Sequence, residues 1–247
     1  AGMRLQEAAD ALNAFGELYL CQVNASGVIP QITAVFGNCG GGMALVPALT
    51  DFTFMESEKA RMFVNAPNTL ADGAGKETAS ACFQCEKAGT VDQAGSEEEI
   101  LESIRTLISI LPANNEDDMS YDECVDDLNR ICEGIENCVQ DGAAALAVIS
   151  DDGFFFEVKK GFARNMVTGF IRLNGMTVGA VANRTERRDG EGNAAETFKP
   201  RLTAGGCGKA AEFVSFCDAF NIPVLTLVHA EGMKADLHQE LRIGKAM

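Results

Sequence analysis

The chain has 247 residues, of which 36 are acidic and 20 basic for a formal net charge of −16, and 47% are hydrophobic. That balance argues against a general nucleic-acid or anionic-membrane surface. No apolar run approaches the ~18–20 residues that span a bilayer, so the sequence reads as a soluble, cytoplasmic protein able to bury one large core or two small ones. Nine cysteines at 21, 39, 82, 85, 124, 132, 138, 207 and 217 are odd in number and lack framework spacing, as in a reduced intracellular protein.

Apolar residues at Leu5, Ala8, Ala9, Leu12 and Phe15 recur at helical spacing, which predicts a helix at the start of the chain. A strand-like run from Gly27 to Phe36 follows, ending in Ile32-Thr33-Ala34-Val35-Phe36, and then the glycine-rich turn Gly37-Asn38-Cys39-Gly40-Gly41-Gly42. The segment after the turn reads as a helix with Pro47 near its start, where a missing N–H costs nothing. Asp51–Met55 and Met62-Phe63-Val64 read as short strands. Ser96-Glu97-Glu98-Glu99 opens a helix to Leu111, with Ser96 as N-cap, Glu99 at the capping-box position and Ile100, Ile104, Leu107, Ile108 and Leu111 on one face.

The polar run Pro112–Asp118 is the best candidate linker, giving halves at 1–112 and 113–247. Beyond it, a helix is predicted from Asp122 to about Cys138. Phe154–Val158, Met166–Leu173 and Thr177–Ala182 read as strands, and Asn174-Gly175 between the last two is a hairpin signal. Gly205–Phe220 reads as a helix, Pro223–Val228 as a buried strand, and Ala230-Glu231-Gly232-Met233 as another turn. Strand, turn and helix thus recur in both halves, an α/β pattern suggestive of duplication.

Few side chains advertise chemistry. Cys82-x-x-Cys85 is the only close cysteine pair and has no second pair at zinc-ribbon spacing, so no metal is expected. Cys39 would need a nearby base to act as a nucleophile. His229 and His238 read as incidental. The glycine turn is different, because a glycine-rich strand-to-helix turn leaves backbone N–H groups bare, where they can hold an oxyanion or a phosphate.

Four ordered stretches carry a resemblance: AGMRLQEAADALNAFGELYLCQVNASGVIPQI at 1–32, GNCGGGMALVPALTDFTFM at 37–55, DDGFFFEVKKGFARNMVTGFIRLNGMTVGAVANR at 151–184, and LTAGGCGKAAEFVSFCDAFNIPVLTLV at 202–228. Together they closely resemble the carboxyltransferase subunits of biotin-dependent acyl-CoA carboxylases of the propionyl-CoA and methylmalonyl-CoA group. The likeness is weakest from about 68 to 150. It implies a crotonase-like fold of two related βα-rich halves, the first binding the acyl-CoA and the second facing biotin.

The resemblance also implies a mechanism. Carboxybiotin on a carrier domain releases carbon dioxide in the site, the ureido nitrogen takes the α-proton of the acyl-CoA, and the enolate attacks the carbon dioxide. The protein's part is to stabilise two oxyanions with fixed backbone dipoles. By position, the acyl-CoA donors are Gly2-Met3 and Gly41-Gly42, and the first biotin-side donor is Gly232-Met233. Implied partners are acyl-CoA, a biotin carboxyl carrier protein with a biotin carboxylase or a membrane decarboxylase subunit, and further copies of the chain in a hexamer. Lys59, Arg61 and Lys76 are candidates for the CoA phosphates.

The chain departs from the family pattern after Gly232, reading Met233-Lys234-Ala235-Asp236-Leu237-His238-Gln239-Glu240 where further glycine and proline are usual. It also starts inside the first donor turn and stops before the second biotin-side turn, and so resembles an internal portion of a longer carboxyltransferase. Three alternatives stay open. One is a sodium-pumping acyl-CoA decarboxylase subunit, and another a non-catalytic assembly component. The third is a crotonase-type hydratase or isomerase, against which Ala44, Leu45 and Val46 stand where a carboxylate would be useful.

Overall fold

The computed structural model describes residues 5–69, 75–117, 123–127, 129–188 and 194–246. The chain divides inside one helix into two compact units, Ala1–Ile104 and Arg105–Met247.

The first unit opens with α1 (Leu5–Ala25), longer than the apolar spacing alone predicts. It stops where Gly27 turns left-handed at φ +70° and the N–H groups of Val28 and Ile29 both return to the Ala25 carbonyl. The strand read from Gly27 therefore begins only at Ile32. Strands β1 (Ile32–Val35), β2 (Asn38–Gly40), β3 (Phe52–Glu56), β4 (Arg61–Phe63) and β5 (Gln93–Gly95) form two parallel sheets, one in the order β1-β3-β5 and one of β2 and β4. Two short helices, α2 (Gly75–Thr78) and α3 (Ala81–Phe83), lie between β4 and β5. Every residue of β3 is buried, as befits a central parallel strand covered on both faces. Thr53 tolerates this because its N–H donates to the Asp92 carboxylate at 2.7 Å and its hydroxyl to the Pro47 carbonyl at 3.3 Å.

The helix expected after the glycine turn is instead two 3-10 turns, Gly41–Leu45 and Pro47–Leu49. Pro47 has no N–H to offer the Met43 carbonyl, so an α-helical ladder breaks there. That carbonyl accepts instead from the Val46 N–H at 3.1 Å and the Cys39 thiol at 3.3 Å. Helix α4 (Glu97–Ile110) forms as its capping box predicts, with the Ser96 N–H donating to Glu99 at 2.8 Å and the Glu99 N–H to the Ser96 hydroxyl at 3.3 Å.

In the second unit, α5 (Gly142–Ile149) is capped by the Asp141 side chain on the Ala143 N–H at 3.1 Å. It precedes β6 (Phe155–Val158), β7 (Met166–Leu173) and β8 (Met176–Asn183). The β7–β8 hairpin turns at Asn174 and Gly175, both left-handed at φ +55° and +73°, the turn that Asn-Gly favours. Next come β9 (Glu186–Arg188), β10 (Ala194–Thr197), β11 (Arg201–Leu202), α6 (Ala204–Ala219), β12 (Val224–Leu227), β13 (Gly232–Met233) and α7 (Leu237–Ala246). The main sheet runs β12-β8-β7-β6, with β12 parallel to β8 through the crossover helix α6, while β9–β10 and β11–β13 form small pairs.

Leu146 of α5 packs with Val167, Ile171, Val178, Ala180 and Ala182 of the hairpin. Phe213 and Phe216 of α6 pack against Phe170. Helix α6 lies so close to β8 that a methyl group on Gly179 would come 2.6 Å from the Cys217 sulfur.

Two expectations fail here. Among the described residues from 123 to 138 there is no α-helix, only the 3-10 turn Ile135–Cys138. The Asp127 carboxylate captures the Asn129 N–H at 2.9 Å, Gly134 is left-handed at φ +81°, and Arg130 is spent on the α5 carbonyls of Val148 and Ile149 and on Ser150. The strand at 224–227, expected to be buried, lies on the sheet edge with Val224 and Thr226 exposed and Leu225 and Leu227 half-buried.

Candidate functional site

The glycine turn of the first unit is built by close approach. A methyl group on Gly40 would sit 2.4 Å from the Phe63 ring on β4, so with glycine there the ring packs directly against the backbone of β2 where the two strands pair. Gly41 is left-handed at φ +62°, which turns the chain out of β2 and into the 3-10 segment. Gly41 and Gly42 are its first two residues, whose N–H groups have no acceptor within a helix. The Gly42 carbonyl accepts from the Tyr19 hydroxyl at 2.6 Å, and Tyr19 stacks on Phe15 with ring centroids 5.9 Å apart. Sequence spacing missed this role for Tyr19. The available signal is a tyrosine one turn beyond an aromatic on the same helix face.

Cys39 is buried under the turn, and burial pushes its thiol above the usual range, opposite to what a nucleophile needs. Cys85 is likewise buried and its thiol raised, while Cys82 is exposed. Among the described residues no group of three or more His, Cys, Asp or Glu side chains could hold a metal ion. No described helix is long and apolar enough to cross a membrane.

Gly2 and Met3, expected as one donor turn, lie outside the described residues, as does the side chain of Lys76. Lys59 is exposed. Arg61 turns back on its own loop, donating to the carbonyls of Glu58 at 2.8 Å and Ala60 at 2.6 Å. His229 and His238 are both exposed.

In the second unit, Gly232 and Met233 form β13, held to β11 by bonds from the Glu231 N–H to the Pro200 carbonyl at 2.7 Å and from the Lys234 N–H to the Leu202 carbonyl at 2.8 Å. Gly232 takes φ +148°, a conformation other residues rarely adopt, and a side chain there would meet nothing within 4 Å. Open space beside a glycine backbone fits a group bound through main-chain N–H donors rather than through side chains. The next turn of chain is tied in by Gln239 of α7, whose side-chain oxygen accepts from the Ala204 N–H at 2.8 Å, at the start of α6.

The chain matches the carboxyl transferase domain model over residues 1–242. It is similar to the propionyl-CoA carboxylase carboxyltransferase subunit of Haloferax mediterranei, 37% identical over 258 residues that cover 97% of this chain and 47% of that protein. It is also similar to the methylmalonyl-CoA decarboxylase subunit alpha of Veillonella parvula, 32% identical over 257 residues covering 97% of this chain and 48% of the relative. Among solved structures, the crystal structure of transcarboxylase 12S, described as a hexamer assembly with hydrolysed methylmalonyl-coenzyme A bound, superposes with a TM-score of 0.84 at 33% identity. That match covers 100% of this chain and 49% of the other. The fold is therefore crotonase-like, as the sequence resemblance implies. The chain spans about half the length of the curated relatives it matches. With four ordered motifs, a shared fold and a domain match over almost its whole length, the chain belongs to the carboxyl transferase domain family.

Proposed function

We propose that the protein of which this chain forms part moves a carboxyl group between carboxybiotin and a short-chain acyl-CoA such as propionyl-CoA. The observation that carries this reading is the glycine turn at residues 40–42, buttressed by Phe63 and Tyr19, within a chain 37% identical to a propionyl-CoA carboxylase carboxyltransferase subunit.

Carboxybiotin on a carrier domain supplies the carboxyl group. In the first unit, the N–H groups of the Gly41-Gly42 turn face the thioester oxygen and stabilise it as negative charge develops, the role the family resemblance also assigns to Gly2-Met3. In the second unit, the backbone of Gly232 and Met233 faces the ureido oxygen. Backbone donors suit both tasks because they are fixed before the reaction and need no reorganisation. Residues 1–112 then form the acyl-CoA side and 113–247 the start of the biotin side. The partners are a biotin carboxyl carrier protein, a biotin carboxylase and further copies of the chain, assembled as a hexamer.

A second reading, a subunit of a decarboxylase, is favoured by the 32% identity to the Veillonella parvula protein. Transfer from carboxybiotin to propionyl-CoA by the full-length protein is the deciding assay. Gly42→Val should lower the rate by about 10²-fold, the scale of one lost oxyanion donor, because even a methyl group there presses the Tyr19 hydroxyl at 3.0 Å. An unchanged rate would overturn the assignment of this turn. Sodium-dependent loss of carbon dioxide from methylmalonyl-CoA when a biotin carrier and a membrane decarboxylase subunit are supplied would favour the second reading.

A further inference from the structure

We propose that Lys209 is a positioning residue for the biotin side of the site, holding residues 159–166 so that they seat the backbone carrying Gly232 and Met233; this rests on the assignment of that turn given above. Lys209 lies in α6 and is 2% exposed. Its amine donates to the carbonyls of Lys159 at 2.8 Å, Phe162 at 3.1 Å and Met166 at 2.8 Å. A lysine ammonium has three N–H donors and no acceptor, and here all three meet carbonyls of one loop. An apolar side chain would fill the same space without fixing that loop's backbone.

The loop needs fixing. Lys159 and Ala163 are left-handed at φ +51° and +43°, unfavourable for residues with a Cβ and sustained only where the surroundings impose them. Lys159 adds a second tie to α6, its amine meeting Glu212 at 2.6 Å.

From the loop the restraint passes to the turn. The Asn165 amide donates to the Arg201 carbonyl at 3.5 Å and accepts from the Thr203 hydroxyl at 3.4 Å. Phe162 and Ala163 lie within 3.6 Å of where a Gly205 side chain would begin, at the head of α6. Arg201 and Leu202 are β11, the partner strand of Gly232 and Met233. The link from the loop to β11 runs through the polar Asn165 side chain rather than through the apolar core, so loosening the loop should move the turn more than it weakens the fold.

The test uses the full-length protein with Lys209→Met and Asn165→Ala, and Gly232→Ala as a direct perturbation of the turn. Two readouts are taken: hydrogen exchange of the backbone at 231–234 against that of the β7–β8 hairpin, and, in transfer from free carboxybiotin to propionyl-CoA, the KM for the carboxybiotin donor (the biotin KM) against the KM for the propionyl-CoA acceptor. Both Lys209→Met and Asn165→Ala should speed exchange at 231–234 tenfold or more, leave the hairpin protected, and raise the biotin KM about ten- to a hundredfold with the propionyl-CoA KM unchanged. If Lys209→Met does not fold, Asn165→Ala decides. Unchanged exchange at 231–234, or equal changes in both KM values, would overturn the proposal. If Gly232→Ala raises the biotin KM and the other two variants do not, only the positioning role fails. If Gly232→Ala leaves it unchanged, the assignment of the turn fails and the proposal with it.

Discussion

Tyr19 donates its hydroxyl hydrogen to the Gly42 carbonyl at 2.6 Å, joining α1 to the glycine turn across 23 positions of sequence. A partly buried neutral hydrogen bond of this kind contributes about 0.5–1.5 kcal/mol. Tyr19→Phe should lower stability by that amount, read as a shift of the urea midpoint. It should also slow carboxyl transfer in the full-length protein, because the turn loses the contact that fixes Gly42. A stability loss with no change in rate would confine Tyr19 to the fold.

The glycines differ in what a methyl group would meet, and their substitutions should differ in sign. Gly40→Ala places a carbon 2.4 Å from the Phe63 ring, and Gly169→Ala one 2.3 Å from the Phe156 carbonyl oxygen. Each should cost about 1–3 kcal/mol through forced displacement. Gly208 lies inside α6 with nothing within 4 Å of a Cβ, so Gly208→Ala should stabilise by about 0.4–1 kcal/mol by restricting the unfolded chain. Thermal denaturation of the three variants checks the order.

The Ser96–Glu99 capping box has a pH signature. Hydrogen bonds from the Ser96 N–H and hydroxyl hold the Glu99 carboxyl below the usual glutamate range. Its folded value lies below its unfolded one, so the stabilisation is fully present above the ordinary glutamate range and is lost as pH falls below that range through the lower folded value. Ser96→Ala should cost about 0.5–2 kcal/mol near neutrality, and the gap from the parent should narrow in acid. A constant gap from pH 7 to pH 3 would separate the box from Glu99 ionisation.

Glu56 offers a second acid-sensitive contact, since its carboxylate accepts from the N–H groups of Glu58, Lys59 and Ala60 and these bonds hold its proton affinity down. By the same sign, Glu56→Gln should flatten the acid limb of stability against pH while weakening the β3–β4 turn at neutrality. A stability curve of unchanged shape would contradict it.

Thiol reactivity should follow burial. Cys217 is buried between α6 and β8, and burial pushes its thiol up to about 12. Cys21 and Cys82 are exposed. Iodoacetamide at pH 8 should modify these two on native protein and leave Cys217 untouched until denaturant is added, as peptide mass spectrometry would report. Rapid native labelling of Cys217 would contradict the packing of α6 on β8.

Several elements were legible locally because their causes are local. The Asn174-Gly175 pair sets a hairpin whose strand β7 is read residue for residue, and Ser96 with Glu99 marks the start of α4. The family was legible for a different reason: its motifs are long and ordered, and the domain match covers residues 1–242. The helix expected from 122 to 138 was not legible as irregular chain, since nothing nearby marks Arg130 as bound to carbonyls 18 to 20 residues away.

By itself, then, the sequence determined the family, the Asn174-Gly175 hairpin turn, and the strands and helices whose caps and turns lie within a few residues. Only the tertiary structure decided that the turn after β2 is 3-10 rather than α-helical, that β12 is an edge, and that Tyr19 and Phe63 grip the glycines while Lys209 gathers three carbonyls. The reason is physical: propensity and capping act over one helical turn, whereas burial and buried hydrogen bonds depend on partners 20 to 50 residues distant, which no short window of sequence contains.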